Sequence, residues 1–311
     1  MMAQDSQKRK KIAYNIISSL LYQVILVAVG LLIPRLYLGK YGSEINGIVT
    51  SVNQVFVYLW LLEAGIAMAA LQVLYRPVAE GDHKTINGVL SATSRYYRKT
   101  GMIYGAVVVL MSLFYALTVT CSLDRVTVFF LILICGAPNV LGYIVQGKYI
   151  CLLQADGANY VVMNMESVLS LAVGLLKLVF LLLTDNLLLV QSVYLMVTIV
   201  KLVWLTLYMK KRYPWLDLSA EPDYQSISKR SQALVHQISS VVFSNSDVVL
   251  LSIFCNFKLV SVYAIYNQFF SYIEKLVTSI HNGLLFTLGQ MFKTDREKFK
   301  EYFEVYESGY M

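Results

Sequence analysis

Long apolar runs separated by short polar clusters make up most of this chain. Eight runs reach about 20 residues, which is the length of an α-helix that crosses the hydrocarbon core of a bilayer. They lie at about 12–34, 45–75, 99–120, 126–147, 158–184, 187–208, 231–255 and 257–290. Helices satisfy all their backbone hydrogen bonds within one segment, which lipid requires. The pattern therefore predicts an all-α integral membrane protein.

Composition supports this prediction. The mean hydropathy is +0.59, and 14% of the residues are charged, where a soluble domain has roughly 25%. Most of the charged residues, which give a net charge of +7, lie in short clusters between the apolar runs. That placement indicates membrane topology and gives no reason to expect a nucleic-acid partner.

The basic residues also predict an orientation. With a cytoplasmic N-terminus, 19 of the 26 Lys and Arg residues fall in inside segments. Four fall in outside loops: Arg35, Lys40, Arg125 and Lys258. Positive charge accumulates on the cytoplasmic side of membrane proteins, so we expect the N-terminus to be cytoplasmic.

An internal repeat appears when the chain is shifted by 214 residues against itself. The segment Asn-Gln-x-Phe-x-Tyr that starts at Asn53 then matches the one that starts at Asn267. Asn and Gln are costly in lipid, so their coincidence within two apolar runs carries weight. The repeat predicts a two-lobed transporter fold of parallel six-helix repeats, with one lobe at 1–230 and the beginning of a second at 231–311. We expect the second lobe to be incomplete, with two spans and a stub.

Five runs carry polar residues at helical spacing, so each set lies on one helix face. Such stripes can join helices to each other, or they can line a wet cavity between the lobes. Lys177 and Lys201 could line that cavity, or they could extend to the membrane interface. Asp247 and Glu274 are candidates for coupling or gating, as binders of a proton or Na⁺, and no other cofactor is expected. The stripes are Asn46, Thr50, Asn53 and Trp60; Glu166, Ser170, Gly174 and Lys177; Tyr194, Thr198, Lys201 and Tyr208; His236, Ser240, Ser244 and Asp247; Asn267, Ser271, Glu274, Thr278 and His281.

Motifs for catalysis are missing from the sequence. It has no GxxxxGK[ST] phosphate loop and no GxSxG or HExxH segment, so neither an ATPase nor a hydrolase is predicted. The four cysteines form no CxxC pair and no cluster with histidine, so no metal site is expected. A transporter of this kind would use an ion gradient, the membrane potential or mass action.

The first 90 residues carry a recognisable set of short motifs. They include Ile33-Pro34-Arg35, Tyr41-Gly42, Leu62-Glu63-Ala64-Gly65 and Tyr75-Arg76-Pro77. In these motifs the chain resembles the flippases for O-antigen and capsule repeat units, within the multidrug/oligosaccharidyl-lipid/polysaccharide exporter superfamily.

The resemblance implies translocation of undecaprenyl-pyrophosphate-linked oligosaccharides across the bacterial plasma membrane for surface polysaccharide biosynthesis. The implied partners are the lipid-linked oligosaccharide, membrane lipids, and the polymerase and glycosyltransferases of the same pathway. Arg35, Lys177 and Lys201 would contact pyrophosphate or sugar. Asn53 and Asn267 would lie near the lobe interface, as polar packing or as substrate contacts. The alternatives are a cation-coupled multidrug or small-molecule exporter of the same superfamily, a membrane enzyme, and an inactive truncated product.

Overall fold

The structure is a computed structural model of the 311-residue chain. It describes residues 2–59, 61–118, 122–227 and 296–310, together with positions 239, 267, 270, 271, 273, 274, 278, 288, 289, 291 and 292. The predicted spans 231–255 and 257–290 and the predicted lobe boundary at 230 fall largely or wholly outside these residues.

Eight helices lie within the described residues. They are α1 (Met2–Leu59), α2 (Leu61–Glu80), α3 (His83–Thr118), α4 (Arg125–Val145), α5 (Gly147–Ala155), α6 (Asn159–Leu183), α7 (Leu187–Arg212) and α8 (Arg296–Tyr310). Five stretches are long and apolar enough to cross a membrane: Ala13–Gly42, His83–Thr118, Arg125–Val145, Asn159–Leu183 and Leu187–Arg212. The described part of the chain is thus an all-helical, multi-pass membrane bundle, as the apolar pattern predicts.

Helix α1 departs from the prediction between residues 34 and 45. The sequence predicts an outside loop there, but α1 continues through Pro34 and bends only at Gly42, which has φ 78° and ψ 175°. Arg35 and Lys40 therefore lie on a helix and not in a loop. A proline does not end a helix in a membrane when neighbouring groups satisfy the freed carbonyl. Gly42 takes the turn because only glycine adopts this backbone conformation readily.

The two ends of the bundle differ in charge. One end, here called the basic end, carries Lys11 of α1, Arg76 of α2, Lys84 and Arg98 of α3, and Lys210 of α7. The opposite end carries Arg35, Lys40 and Arg125, together with Asp185 and Asp124, the N-cap of α4. The charge asymmetry of the sequence is therefore a property of the folded bundle.

At the basic end, α1 is tied to the start of α6. The buried Asn15 accepts a hydrogen bond from the backbone N–H of Tyr160 at 2.7 Å and donates one to the carbonyl of Gly157 at 3.2 Å. Lys11 donates to the carbonyl of Asp156 at 2.6 Å and lies 3.4 Å from its carboxylate. The same carboxylate accepts a hydrogen bond from the hydroxyl of Tyr213 at 2.9 Å. Asp156 thus joins three separate parts of the chain.

At the opposite end, α1 is tied to the end of α6. Lys40 donates to the carbonyls of Leu181 and Thr184, the latter at 2.7 Å, and pairs with Asp185 at 3.0 Å. These carbonyls belong to the last turn of a helix, where no intrahelical donor remains. The part of α1 before Gly42 therefore runs parallel to α6, and the two are fastened to each other at both ends.

The segment after α7, residues 213–227, folds back over the start of α3. Asn87 donates to the carbonyl of Trp215 at 3.3 Å, and Ser91 donates to that of Ala220 at 2.7 Å. The backbone N–H of Asp223 donates to the carbonyl of Gly88 at 3.0 Å. Ser226 in turn hydrogen-bonds the carboxylate of Asp223 and holds its pKa below the usual value. The segment is thus fixed to α3.

Apolar side chains are divided between a packed interior and an outer surface. The largest cluster surrounds Ile66, Leu90 and Tyr97, and a smaller one joins Tyr37 to Leu181. Many leucines instead point outward; Leu183 is 80% exposed. Lipid is as apolar as leucine, so this surface is suited to a bilayer and not to water.

The bend at Gly42 gives a first prediction. Gly42→Ala should destabilise the protein by about 1–3 kcal/mol, because alanine is strained at this backbone conformation. Gly39→Ala is the matched control, because neither glycine has an atom within 4 Å of an added Cβ and Gly39 has no positive φ. Thermal unfolding of the detergent-solubilised variants measures the difference. Equal melting temperatures for the two variants would contradict the assigned bend.

The Asp156 junction gives a second prediction. Asp156→Ala should lower the free energy of unfolding by about 1–3 kcal/mol, because Lys11 and Tyr213 lose a partly buried carboxylate acceptor. Glu80→Ala is the control, because it removes only an exposed pair with Arg76, worth about 0–1 kcal/mol. The same unfolding measurement applies, and equal effects would show that Asp156 is not a structural junction.

Candidate functional site: a two-chamber cavity in the first lobe

A polar cavity lies inside the bundle between α1, α4, α6 and α7. It has two adjoining chambers with volumes of about 290 and 550 Å³. The smaller contains Glu166 and Lys201 and is here called the ion-pair chamber. The larger contains Lys177 and is here called the Lys177 chamber. Asn139 and Tyr194 line both.

In the ion-pair chamber, two helices contribute opposite charges. The Lys201 ammonium of α7 lies 2.8 Å from the Glu166 carboxylate of α6, and their side chains are 10% and 21% exposed. The side-chain amide of Gln146 donates to the same carboxylate oxygen at 3.4 Å. Charges are expensive at membrane depth unless they are paired. The pair makes this chamber polar but leaves its net charge close to zero.

In the Lys177 chamber, a cation is held by neutral groups. The Lys177 ammonium donates to the side-chain oxygen of Gln191 at 3.1 Å. The amide nitrogen of Gln191 then donates to the hydroxyl of Tyr37 at 3.0 Å. Within the described residues, no carboxylate lies within ion-pair distance of Lys177. This chain of hydrogen bonds orients a positive charge that an anionic group can approach.

The lining residues follow one order on three helices. Along α4 they run from Cys135 through Asn139 to Gln146, and along α7 from Gln191 through Tyr194 to Lys201. The second half of α1 contributes Asn46, Asn53 and then Phe56. All three helices run toward the basic end. The chambers are therefore stacked along the bundle axis, with the ion-pair chamber nearer the basic end.

The residues predicted from the sequence are spread over several places. Lys177 and Asn53 line one chamber and Lys201 lines the other. Both lysines bind partners inside the bundle, so neither extends to the interface. Arg35 is exposed and does not belong to the described lining of either chamber. The remaining candidates lie elsewhere: Asn267 is half-buried, Glu274 is exposed, and Asp247 is outside the described residues.

Several lining residues were not among the sequence candidates. Glu166 and Tyr194 belong to polar stripes, but a stripe does not show which helix faces it. Gln191 lies one turn before the polar stripe of α7, so its position on the same helix face could have been predicted from the sequence. Asn139 of α4 and Gln146, the C-cap of α4, are seven residues apart, which places them on one face of a mainly apolar helix.

The comparisons with known proteins bear on the fold. No protein-family model and no curated protein matches the chain. Among solved structures, the crystal structure of a MATE protein in complex with MaL6 is similar, with a TM-score of 0.71 and 14% identity. The match covers 94% of this chain and 67% of that chain.

Two further structures have the same fold. One is the outward-facing conformation of a multidrug resistance MATE family transporter of the MOP superfamily, with a TM-score of 0.64, 15% identity and coverage of 94% and 67%. The other is the Vibrio cholerae MATE transporter VcmN in the bent form, with a TM-score of 0.63, 15% identity and coverage of 92% and 66%. The predicted two-lobed transporter fold is thereby confirmed. The chain spans about two thirds of each of these proteins.

The ion pair gives a third prediction. Lys201→Met should destabilise the protein by about 3–5 kcal/mol, because it leaves the Glu166 carboxylate without a cation inside the bundle. Lys201→Met combined with Glu166→Gln should recover most of this loss, because no charge is then left without a partner. Thermal unfolding of the single and double variants in detergent measures the coupling. A double variant as unstable as the single one would mean that the two side chains do not interact.

Proposed function

We propose that this protein is a membrane transporter that moves a small organic solute through the two-chamber cavity of its first lobe. The observation that carries the proposal is the cavity itself. Three charged side chains in a cavity inside an apolar bundle lower the stability of a membrane protein, and such residues are typical of functional sites. The MATE fold supports transport as that function, because two of the similar structures are MATE transporters, one of them a multidrug resistance transporter.

The proposed mechanism is export coupled to a cation gradient. The cavity replaces the hydration of a solute that cannot enter hydrocarbon, and movement of one lobe against the other exposes it to either side. The acidic residues Asp247 and Glu274 remain candidates for binding the coupling proton or Na⁺. The accumulation of basic residues at one end supports a cytoplasmic position for that end in a bacterial plasma membrane.

A second candidate function is supported by Lys177. A cation without a described carboxylate partner suits an anionic solute better than a cationic drug. A polyprenyl-pyrophosphate-linked oligosaccharide carries such a group, and its lipid tail would stay in the bilayer. This candidate also agrees with the motifs of the first 90 residues. It would involve the polymerase and glycosyltransferases of a polysaccharide pathway as partners.

A transport assay in proteoliposomes tests both candidates. We expect an imposed proton or Na⁺ gradient to drive movement of ethidium if the solute is a cationic small molecule. We expect flipping of a fluorescent polyprenyl-pyrophosphate sugar, lost in Lys177→Met, if the solute is an anionic lipid-linked glycan. Met196→Ala is the control, because Met196 is exposed on α7 and lines neither chamber. Movement of neither probe above empty liposomes would contradict the proposed transport.

A further inference from the structure

We propose that Tyr194, which lines both chambers together with Asn139, forms a neck that opens and closes the passage between the two chambers and limits the size of the solute. This inference deepens the proposed transport function and rests on it. It concerns a step within one lobe, separate from the movement of one lobe against the other.

The position of the neck follows from the stacking of the chambers. Among the described residues, Asn139 and Tyr194 are the two that line both chambers. On α7, Tyr194 lies between Gln191 in one chamber and Lys201 in the other, which are ten residues or about 15 Å apart along the helix. A solute that travels from Lys177 to Lys201 along the lined face of α7 therefore passes Tyr194.

The side chain of Tyr194 is suited to a moving barrier. It is 39% exposed, although its neighbours Val190 and Val193 on α7 are buried. A ring that simply packs the core would be covered by its neighbours. The phenol is bulky enough to close a narrow passage and has only two side-chain torsions, so a single rotamer change moves the whole ring.

The opposite side of the neck has a weak point in its backbone. Pro138 precedes Asn139 on α4 and cannot donate a hydrogen bond to the carbonyl of Ile134. A helix bends most easily where its hydrogen-bond ladder is interrupted. Ile134 lines the Lys177 chamber and Pro138 lines the ion-pair chamber, so this interruption lies at the level of the neck.

The charges on the two sides explain why a neck would be useful. The ion-pair chamber holds a neutralised pair, and the Lys177 chamber holds a cation with neutral partners. An open passage between them would let small ions leak along a polar path. A closed ring at Tyr194 separates the two environments until a solute occupies one of them.

Cys135 provides the test, because this native thiol lines the Lys177 chamber. In a variant with Cys121→Ala, Cys151→Ala and Cys255→Ala, Cys135 is the single cysteine. Its rate of modification is measured in membrane vesicles with a small methanethiosulfonate and a bulky sulfonated maleimide, added to one side at a time. Two further single-cysteine variants determine which side of the vesicle each end faces. Ser219→Cys provides a thiol at the basic end, and Asp185→Cys provides one at the opposite end.

Tyr194→Ala should raise the rate of Cys135 modification by the bulky reagent about tenfold from the basic-end side and leave the rate from the opposite side unchanged. Tyr194→Phe keeps the ring and should behave as the parent protein, as should Met196→Ala. If Tyr194→Ala does not accumulate in membranes, Tyr194→Trp tests the same neck, with a lower rate from the basic-end side expected.

An unchanged rate of Cys135 modification in Tyr194→Ala, or an equal rise from both sides, would contradict the proposed neck. The labelling result is independent of transport. If neither ethidium nor the glycan lipid moves but labelling changes as expected, the transport function fails and the neck stands. If transport is observed and labelling does not respond to Tyr194, the neck fails and the function stands.

Discussion

The fastening of α1 to α6 at both ends is the constraint on which the cavity depends. Asn15 and Lys11 hold the start of α6, and Lys40 holds its last turn. Helix α6 carries both Glu166 and Lys177, so its axial position fixes where each charge lies. If α6 could slide by one turn, about 5.4 Å, neither Lys201 nor Gln191 would meet its partner.

Lipid makes this arrangement specific. Apolar helices gain little from each other in a bilayer, so hydrogen bonds and close packing decide which faces meet. The Glu166–Lys201 pair and the chain from Lys177 through Gln191 to Tyr37 join α6 to α7 and then to α1. The groups that make the cavity polar are thus also the groups that hold its walls together. A solute that binds Lys177 must compete with a contact that stabilises the lobe.

The sequence allowed the spans and the charge asymmetry to be predicted, because hydropathy and basic clusters are local properties. It misplaced Arg35 in a loop, because Pro34 suggests a helix end and the bend at Gly42 depends on one backbone torsion. Lys201 and Glu166 were both visible as polar residues within spans. Their pairing was not predictable, because they are 35 residues apart on two helices whose relative rotation is set by packing. The division of the cavity at Tyr194 required the structure for the same reason.

The packing of residues 213–227 over α3 determines how movement of α3 is coupled to the chain that follows α7. A free linker of 15 residues would let its ends lie about 20 Å apart in any direction. Asn87, Gly88 and Ser91 remove that freedom, and Tyr213 fixes the start of the segment to Asp156. Residues 213–227 therefore have a fixed position against α3 and Asp156. A displacement of α3 therefore carries residues 213–227 with it.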